Sequence, residues 1–226
     1  MPLSNVLGAQ SITKPGVCTS TTRPASPFDG QVIYETDTDR IAVYDSSSWV
    51  YKTRSAANEG LTFIGKTTFS AVSSVNVDNV FSSSYENYKI IINLSSAGSQ
   101  ITGMRMRTTT TTETGSVYCA QLRLWGNDGG NSRTDKAPGT SWDICWHHGP
   151  KQAAIEMTVA NPNLTKETVI TGTAANQYGL SQTNGVINQV FAGWIKDTVQ
   201  YSGFTLMQNS GTDAITGTVR VYGWMN

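Results

Sequence analysis

An all-β fold is predicted for this chain by three features of its sequence. Short runs alternate apolar and polar residues with a period of two, as in Met104/Met106 against Arg105/Arg107 and Ile155/Met157/Val159 against Glu156/Thr158. Turn-forming clusters separate these runs at intervals of roughly 10–15 residues, the rhythm of a sandwich or barrel. No window keeps apolar residues at i, i+3, i+4 and i+7 for long enough to make a helix.

The elements follow in order. Met1–Pro27 has Lys14 and Arg23 as its only charges, contains Pro15, Pro24 and Pro27, and shows no sustained periodicity. It is expected to be an extended arm that orders on a partner, rather than a floppy leader. In the next stretch, residues 28–53, Val32/Tyr34, Ile41/Val43 and Trp49/Tyr51 alternate with polar neighbours. Asp37–Asp39 and Asp45–Ser48 lie between them, side chains that hydrogen-bond their own backbone and favour turns. A tight three-strand meander is the reading, and it is too small to bury a core alone. It therefore needs copies of itself or a neighbour, with Val32, Tyr34, Ile41, Val43 and Trp49 as the candidate interface. Residues 54–60 are small and polar and read as a linker or a single helical turn.

Residues 61–226 read as the second domain. Candidate strands are Leu61–Ser70, Ser74–Phe81, Tyr88–Leu94, Gly103–Thr109, Val117–Trp125 and Trp142–His147. They continue with Ala153–Ala160, Thr168–Gly172, Val186–Lys196, Gly203–Gln208 and Thr216–Met225. About ten strands suit a jelly-roll-like sandwich of two packed sheets. The segment Gly126–Thr140 (GNDGGNSRTDKAPGT) reads as the longest loop, and long loops on a rigid scaffold are common binding surfaces. Asn127, Asp128, Asn131, Arg133 and Asp135 are its candidate receptor-facing residues.

Composition narrows the function. With 16 Lys and Arg against 16 Asp and Glu, the formal net charge is zero, so nucleic acid is not an expected partner. Apolar runs fall short of the roughly 18 residues that span a bilayer, so no membrane insertion is expected. MPLSNVLGAQ lacks the basic and apolar regions of a secretory signal. A protein of this kind acting outside the cell is expected to be made in the cytoplasm and released by lysis. Cys18, Cys119 and Cys145 are odd in number and lack CxxC spacing, so neither a disulfide framework nor a zinc site is expected.

No constellation points to catalysis. Glu35, Asp37 and Asp39 sit together on a turn, where they cannot flank one glycosidic bond as a hydrolase pair does. An EF-hand pattern is absent, and Asp128 with Asp135 are too few carboxylates for a calcium site. His147 and His148 are adjacent, so on a strand they point to opposite faces. No GxSxG, HExxH or phosphate-loop motif occurs, and no cofactor or metal is called for. In Trp142–His148, alternation sets Trp142, Ile144 and Trp146 against Asp143, Cys145 and His147. An Ile between two Trp favours sandwich core over an exposed stacking surface.

The segment TTRPASPFDGQVIYETDTDRIAVYDSSSWVYK resembles a module of bacteriophage tail-fibre, minor tail and other virion appendage proteins. The likeness is carried by Arg23, Pro24, Pro27, Gly30, Gln31, Ile33, Tyr34, Glu35, Thr36, Asp37, Thr38, Arg40, Val43, Tyr44, Asp45 and Trp49. The glycine usual after the aspartate is replaced here by Ser46. Gly217–Gly223 also resembles the closing strand of phage fibre and head-appendage jelly rolls. The resemblance implies a homotrimer on a three-fold axis, with the arm docked on other virion proteins. It leads to the expectation of a non-enzymatic tail-fibre or minor tail appendage whose sandwich binds a host protein or glycan. A capsid decoration or head-fibre protein is the alternative, and a fibre-borne polysaccharide hydrolase the third.

Overall fold

The computed structural model describes residues 15–52, 60–126, 131–147, 149–178 and 185–224, in two compact units divided near residue 56. All regular structure among them is β-strand, and nearly all pairing is antiparallel.

The first unit is a four-stranded sheet in the order β1-β2-β3-β4: Gly16–Cys18, Val32–Glu35, Arg40–Tyr44 and Trp49–Tyr51. The expected meander is β2, β3 and β4. The fourth member, β1, comes from the stretch read as a free arm and runs parallel to β2, with Val17 opposite Tyr34. A parallel neighbour needs a crossover, and residues 19–31 supply it. The arm reading thus fails for residues 15–27, while residues 1–14 and most of the linker (53–59) lie outside the described residues. Both tight turns hold a residue in the left-handed region: Asp39 at φ 53° and Ser46 at φ 71°. In the second turn the Asp45 carboxylate accepts from the backbone N–H of Ser47 and Ser48 at 3.2 and 2.8 Å.

Among its described residues the second unit has twelve strands: β5 (Leu61–Val72), β6 (Ser74–Val77), β7 (Asn87–Ser96), β8 (Gln100–Arg107), β9 (Tyr118–Gly126) and β10 (Asn131–Gly139). Then come β11 (Trp142–His147), β12 (Gln152–Ala160), β13 (Val169–Tyr178), β14 (Gly185–Ile195), β15 (Gly203–Ser210) and β16 (Ile215–Trp224). Eight of them pair in jelly-roll order, β5-β16-β7-β12 in one sheet and β6-β15-β8-β11 in the other. The remaining four all join the first sheet, which becomes β10-β9-β14-β13-β12-β7-β16-β5. They enter the chain as β9–β10 before β11 and as β13–β14 before β15.

The larger sheet reads cleanly from the alternation that predicted it. Along β14, residues 185–195 are buried at every odd position and exposed at every even one. Ile90, Ile92, Leu94, Ile155, Met157, Val159, Val219 and Val221 from this sheet share one apolar core with Met104, Met106, Phe204 and Leu206 of the smaller sheet. Register gives the larger sheet two ends. Leu61, Trp224, Asn87, Ala160, Val169, Trp194 and Cys119 are aligned across it at the end where the chain enters. At the opposite end Trp125 of β9 lies opposite Asn131 of β10, and Tyr178 of β13 opposite Gly185 of β14.

Candidate functional site

The small sheet has two unlike faces. On one, the Glu35 side chain is fully buried and Arg23 of the crossover reaches it, Nε donating to Oε1 at 2.5 Å. Tyr51 Oη and Thr38 Oγ1 each donate to Glu35 Oε2 at 2.9 Å, and Arg23 Nη2 donates to Tyr51 Oη at 2.8 Å. The guanidinium of Arg40 stands over the Tyr51 ring, 4.9 Å from its centre. The hydrogen bond from Arg23 is the chief reason that the Glu35 carboxyl titrates below its ordinary value, with Tyr51 and Thr38 adding to it against the effect of burial. Ser20 fixes the start of the crossover through its N–H and hydroxyl to the Asp37 carboxylate, at 2.8 and 2.5 Å. Ile33 and Ala42 are buried on this face.

The opposite face is apolar and open. Register places Val17, Val32, Tyr34, Ile41, Val43 and Val50 on it. Val17 is 70% exposed, and Val32 and Ile41 are each 38% exposed. Four of the five predicted interface residues therefore share a face. Trp49 does not: it pairs with Tyr44, their rings 5.4 Å apart, on the side of Glu35 and Ala42. The length of the Asp45–Ser48 turn sets that parity, and Val50 occupies the place expected for Trp49.

In the sandwich, the expected Gly126–Thr140 loop is largely strand. Asn131–Gly139 forms β10, antiparallel to β9 at an edge of the larger sheet. Arg133, Asp135, Lys136 and Pro138 mask it in sequence, yet charges and proline are what an edge strand carries to prevent further pairing. Asn127 and Asp128 lie outside the described residues, and Asn131 is the first residue of the strand. Arg133 and Asp135 form an ion pair on the outer surface, where Gln121 Nε2 donates to Asp135 Oδ1 at 3.1 Å. They line one side of an open trough of about 690 Å³, with Ala192 among its lining residues and Val169 and Trp194 on the β13–β14 side. Trp194 is 37% exposed and Val169 45%. This trough joins an aromatic surface to a carboxylate, an amide and a guanidinium, a set suited to shallow polar ligands.

Trp142–His147 is core, as the apolar content indicates, but its facing differs from strict alternation. A register shift between Asp143 and Cys145 makes a bulge, so Trp142, Cys145 and His147 face the same way, opposite Met104, Thr102 and Gln100. His148 lies outside the described residues. The outer backbone edge of β11 is satisfied by side chains of the facing sheet. Gln189 Oε1 accepts from Trp146 N at 2.7 Å, and the Trp146 carbonyl accepts from Asn176 Nδ2 and Gln189 Nε2 at 2.7 and 2.9 Å. Burial pushes the Cys145 thiol up to about 12 and the His147 imidazole down to about 4. His147 Nε2 lies 3.0 Å from Thr102 Oγ1. Among the described residues no three His, Cys, Asp or Glu side chains are grouped to hold a metal ion.

Comparison of the chain with models of known protein families, with curated proteins and with solved structures found no match.

Proposed function

We propose that this chain is a non-enzymatic structural component of a bacteriophage virion, a trimeric tail-fibre or minor tail appendage that displays a host- or glycan-binding jelly roll. Two lines support the reading. One is the likeness of residues 23–49 to the virion-appendage module. The other, which carries most weight, is the two-faced small sheet. Arg23, Glu35 and the crossover seal one side, whereas on the other Val17, Val32 and Ile41 are exposed and Tyr34, Val43 and Val50 half-buried beside them. Fully burying an exposed side chain of this kind is worth about 1.5–3 kcal/mol, so the exposed Val17, Val32 and Ile41, with what remains open of their three neighbours, give copies of the chain reason to associate. Three sandwiches held at one axis would then present three identical surfaces, and weak contacts at Arg133, Asp135 and Trp194 would gain by avidity.

Sedimentation tests the assembly. The native chain is expected at about three times its 24.4 kDa mass, and the Ile41→Asp chain as a folded monomer at micromolar concentration. A monomeric native chain would refute the proposal. Binding to host cells by the native assembly, reduced in an Asp135→Ala, Trp194→Ala chain that still sediments normally, tests the display role.

A further inference from the structure

The two edges of the larger sheet are treated differently. At one edge β10 carries Arg133, Asp135, Lys136 and Pro138, which discourage another strand or an apolar surface from docking. At the other edge β5 is twelve residues long, and Lys66 is its one charged residue. Its first residues lie beside the last of β16, with Leu61 opposite Trp224 and Phe63 opposite Tyr222. Leu61 is 48% exposed, Phe63 56% and Trp224 49%. The rings of Phe63 and Tyr222 meet edge-on at 5.6 Å, so the four side chains form one continuous patch rather than scattered exposed groups. Scattered apolar residues on a surface need no explanation, whereas a contiguous aromatic patch marks an interaction site.

We infer that Leu61, Phe63, Tyr222 and Trp224 form a second contact between copies of this chain, at the end of the sandwich where the chain enters. The inference rests on the proposed assembly through the small sheet. Leu61 follows Lys52, the last described residue of the small unit, by nine positions, a reach of about 30 Å when fully extended. Copies joined through Val32 and Ile41 therefore hold their patches within a short tether of one another. Tethers of that length give effective concentrations on the order of millimolar, at which a modest apolar contact closes. The unguarded edge thus lies at the end of the sandwich nearest in sequence to the face that gathers the copies. The guarded edge lies on the far side of the same sheet.

The test is chemical cross-linking in the full chain. Phe63→Cys is introduced into a Cys18→Ser background, which leaves the two buried native thiols, Cys119 and Cys145. Thr173→Cys, on the same outer surface four strands away, is the control. With a short bis-maleimide, the Phe63→Cys chain is expected to yield covalent dimers within a trimer, and the Thr173→Cys chain none. In the otherwise native chain, Trp224→Ala is expected to raise the concentration at which the trimer half-dissociates by roughly tenfold. An intact trimer with no Phe63→Cys cross-link, or with equal cross-linking at both positions, overturns the inference and leaves the small-sheet assembly standing. A monomeric native chain overturns both.

Discussion

Arg23 Nε and the Glu35 carboxylate lie 2.5 Å apart, and this contact ties the crossover to the buried side of the small sheet beside the bonds from Arg23 to Tyr51 and from Ser20 to Asp37. Removing the guanidinium leaves a fully buried carboxylate with only two hydroxyl donors, Tyr51 and Thr38. Breaking such a pair from one side costs several kcal/mol when both partners are buried. Arg23 is 29% exposed, so a loss of about 2 kcal/mol is the better expectation for Arg23→Ala. Limited proteolysis should then cut residues 19–31 early, while the sandwich keeps its melting transition.

Ser46 holds a φ of 71°, a conformation that glycine adopts without strain and that costs other L-residues about 1–2 kcal/mol. Part of this returns as lost chain entropy when glycine is introduced. Ser46→Gly should therefore stabilise the small unit by about 0.5 kcal/mol, read as a higher denaturant midpoint with an unchanged slope.

His147 is fully buried, and its pKa falls from 6.5 to about 4 on folding. Between these values the unfolded chain binds a proton that the folded chain does not, so stability falls as pH falls. The sandwich should lose about 1.4 kcal/mol per pH unit from this residue between pH 6.5 and 4, with no further loss from it below pH 4. Glu35 has the usual carboxylate sign: its contribution is present above 4.5 and is lost as pH drops below that value. Acid titration followed by calorimetry should weaken the sandwich first and the small unit later, and His147→Gln should flatten the earlier slope.

Gly193 lies beneath Trp142, where an added Cβ would stand 2.6 Å from the indole Cδ1 and 2.8 Å from the Cys119 carbonyl. Trp142 is fully buried and donates Nε1 to the Trp194 carbonyl at 3.3 Å, joining the two sheets. The carbonyl cannot move without disturbing β9, so the indole must. Gly193→Ala is expected to destabilise the sandwich by about 1–3 kcal/mol, with a matching fall in its thermal midpoint.

Strands with one dry and one wet side were legible in the sequence, because burial imposes a period of two wherever only one face meets the core. Eleven of the twelve sandwich strands among the described residues were expected from sequence, several of them on that basis and β14 with unbroken alternation, while β11 and β15 are buried on both sides and were marked by apolar content. The missing one, β10, has no apolar row, since at the sheet edge its charges do more good than its packing would. In the small unit, β1 is only three residues long and pairs with a strand many positions away, so no local pattern announces it. The side chosen by Trp49 and the bulge in β11 depend on turn length and register, which alternation leaves undetermined. The trough beside Trp194 gathers residues from four strands, and of its lining only Arg133 and Asp135 were expected from sequence to face a ligand.

Because Trp224 is aligned with Leu61, the polypeptide leaves the sandwich beside the point at which it arrived. A fluorescent reporter attached just after β16 would therefore report on the Leu61 end of the larger sheet and stay silent about the opposite end, where Trp125 lies beside Asn188. Cargo meant for that opposite end belongs instead between β9 and β10 or between β13 and β14, antiparallel neighbours whose registers an insertion there leaves intact.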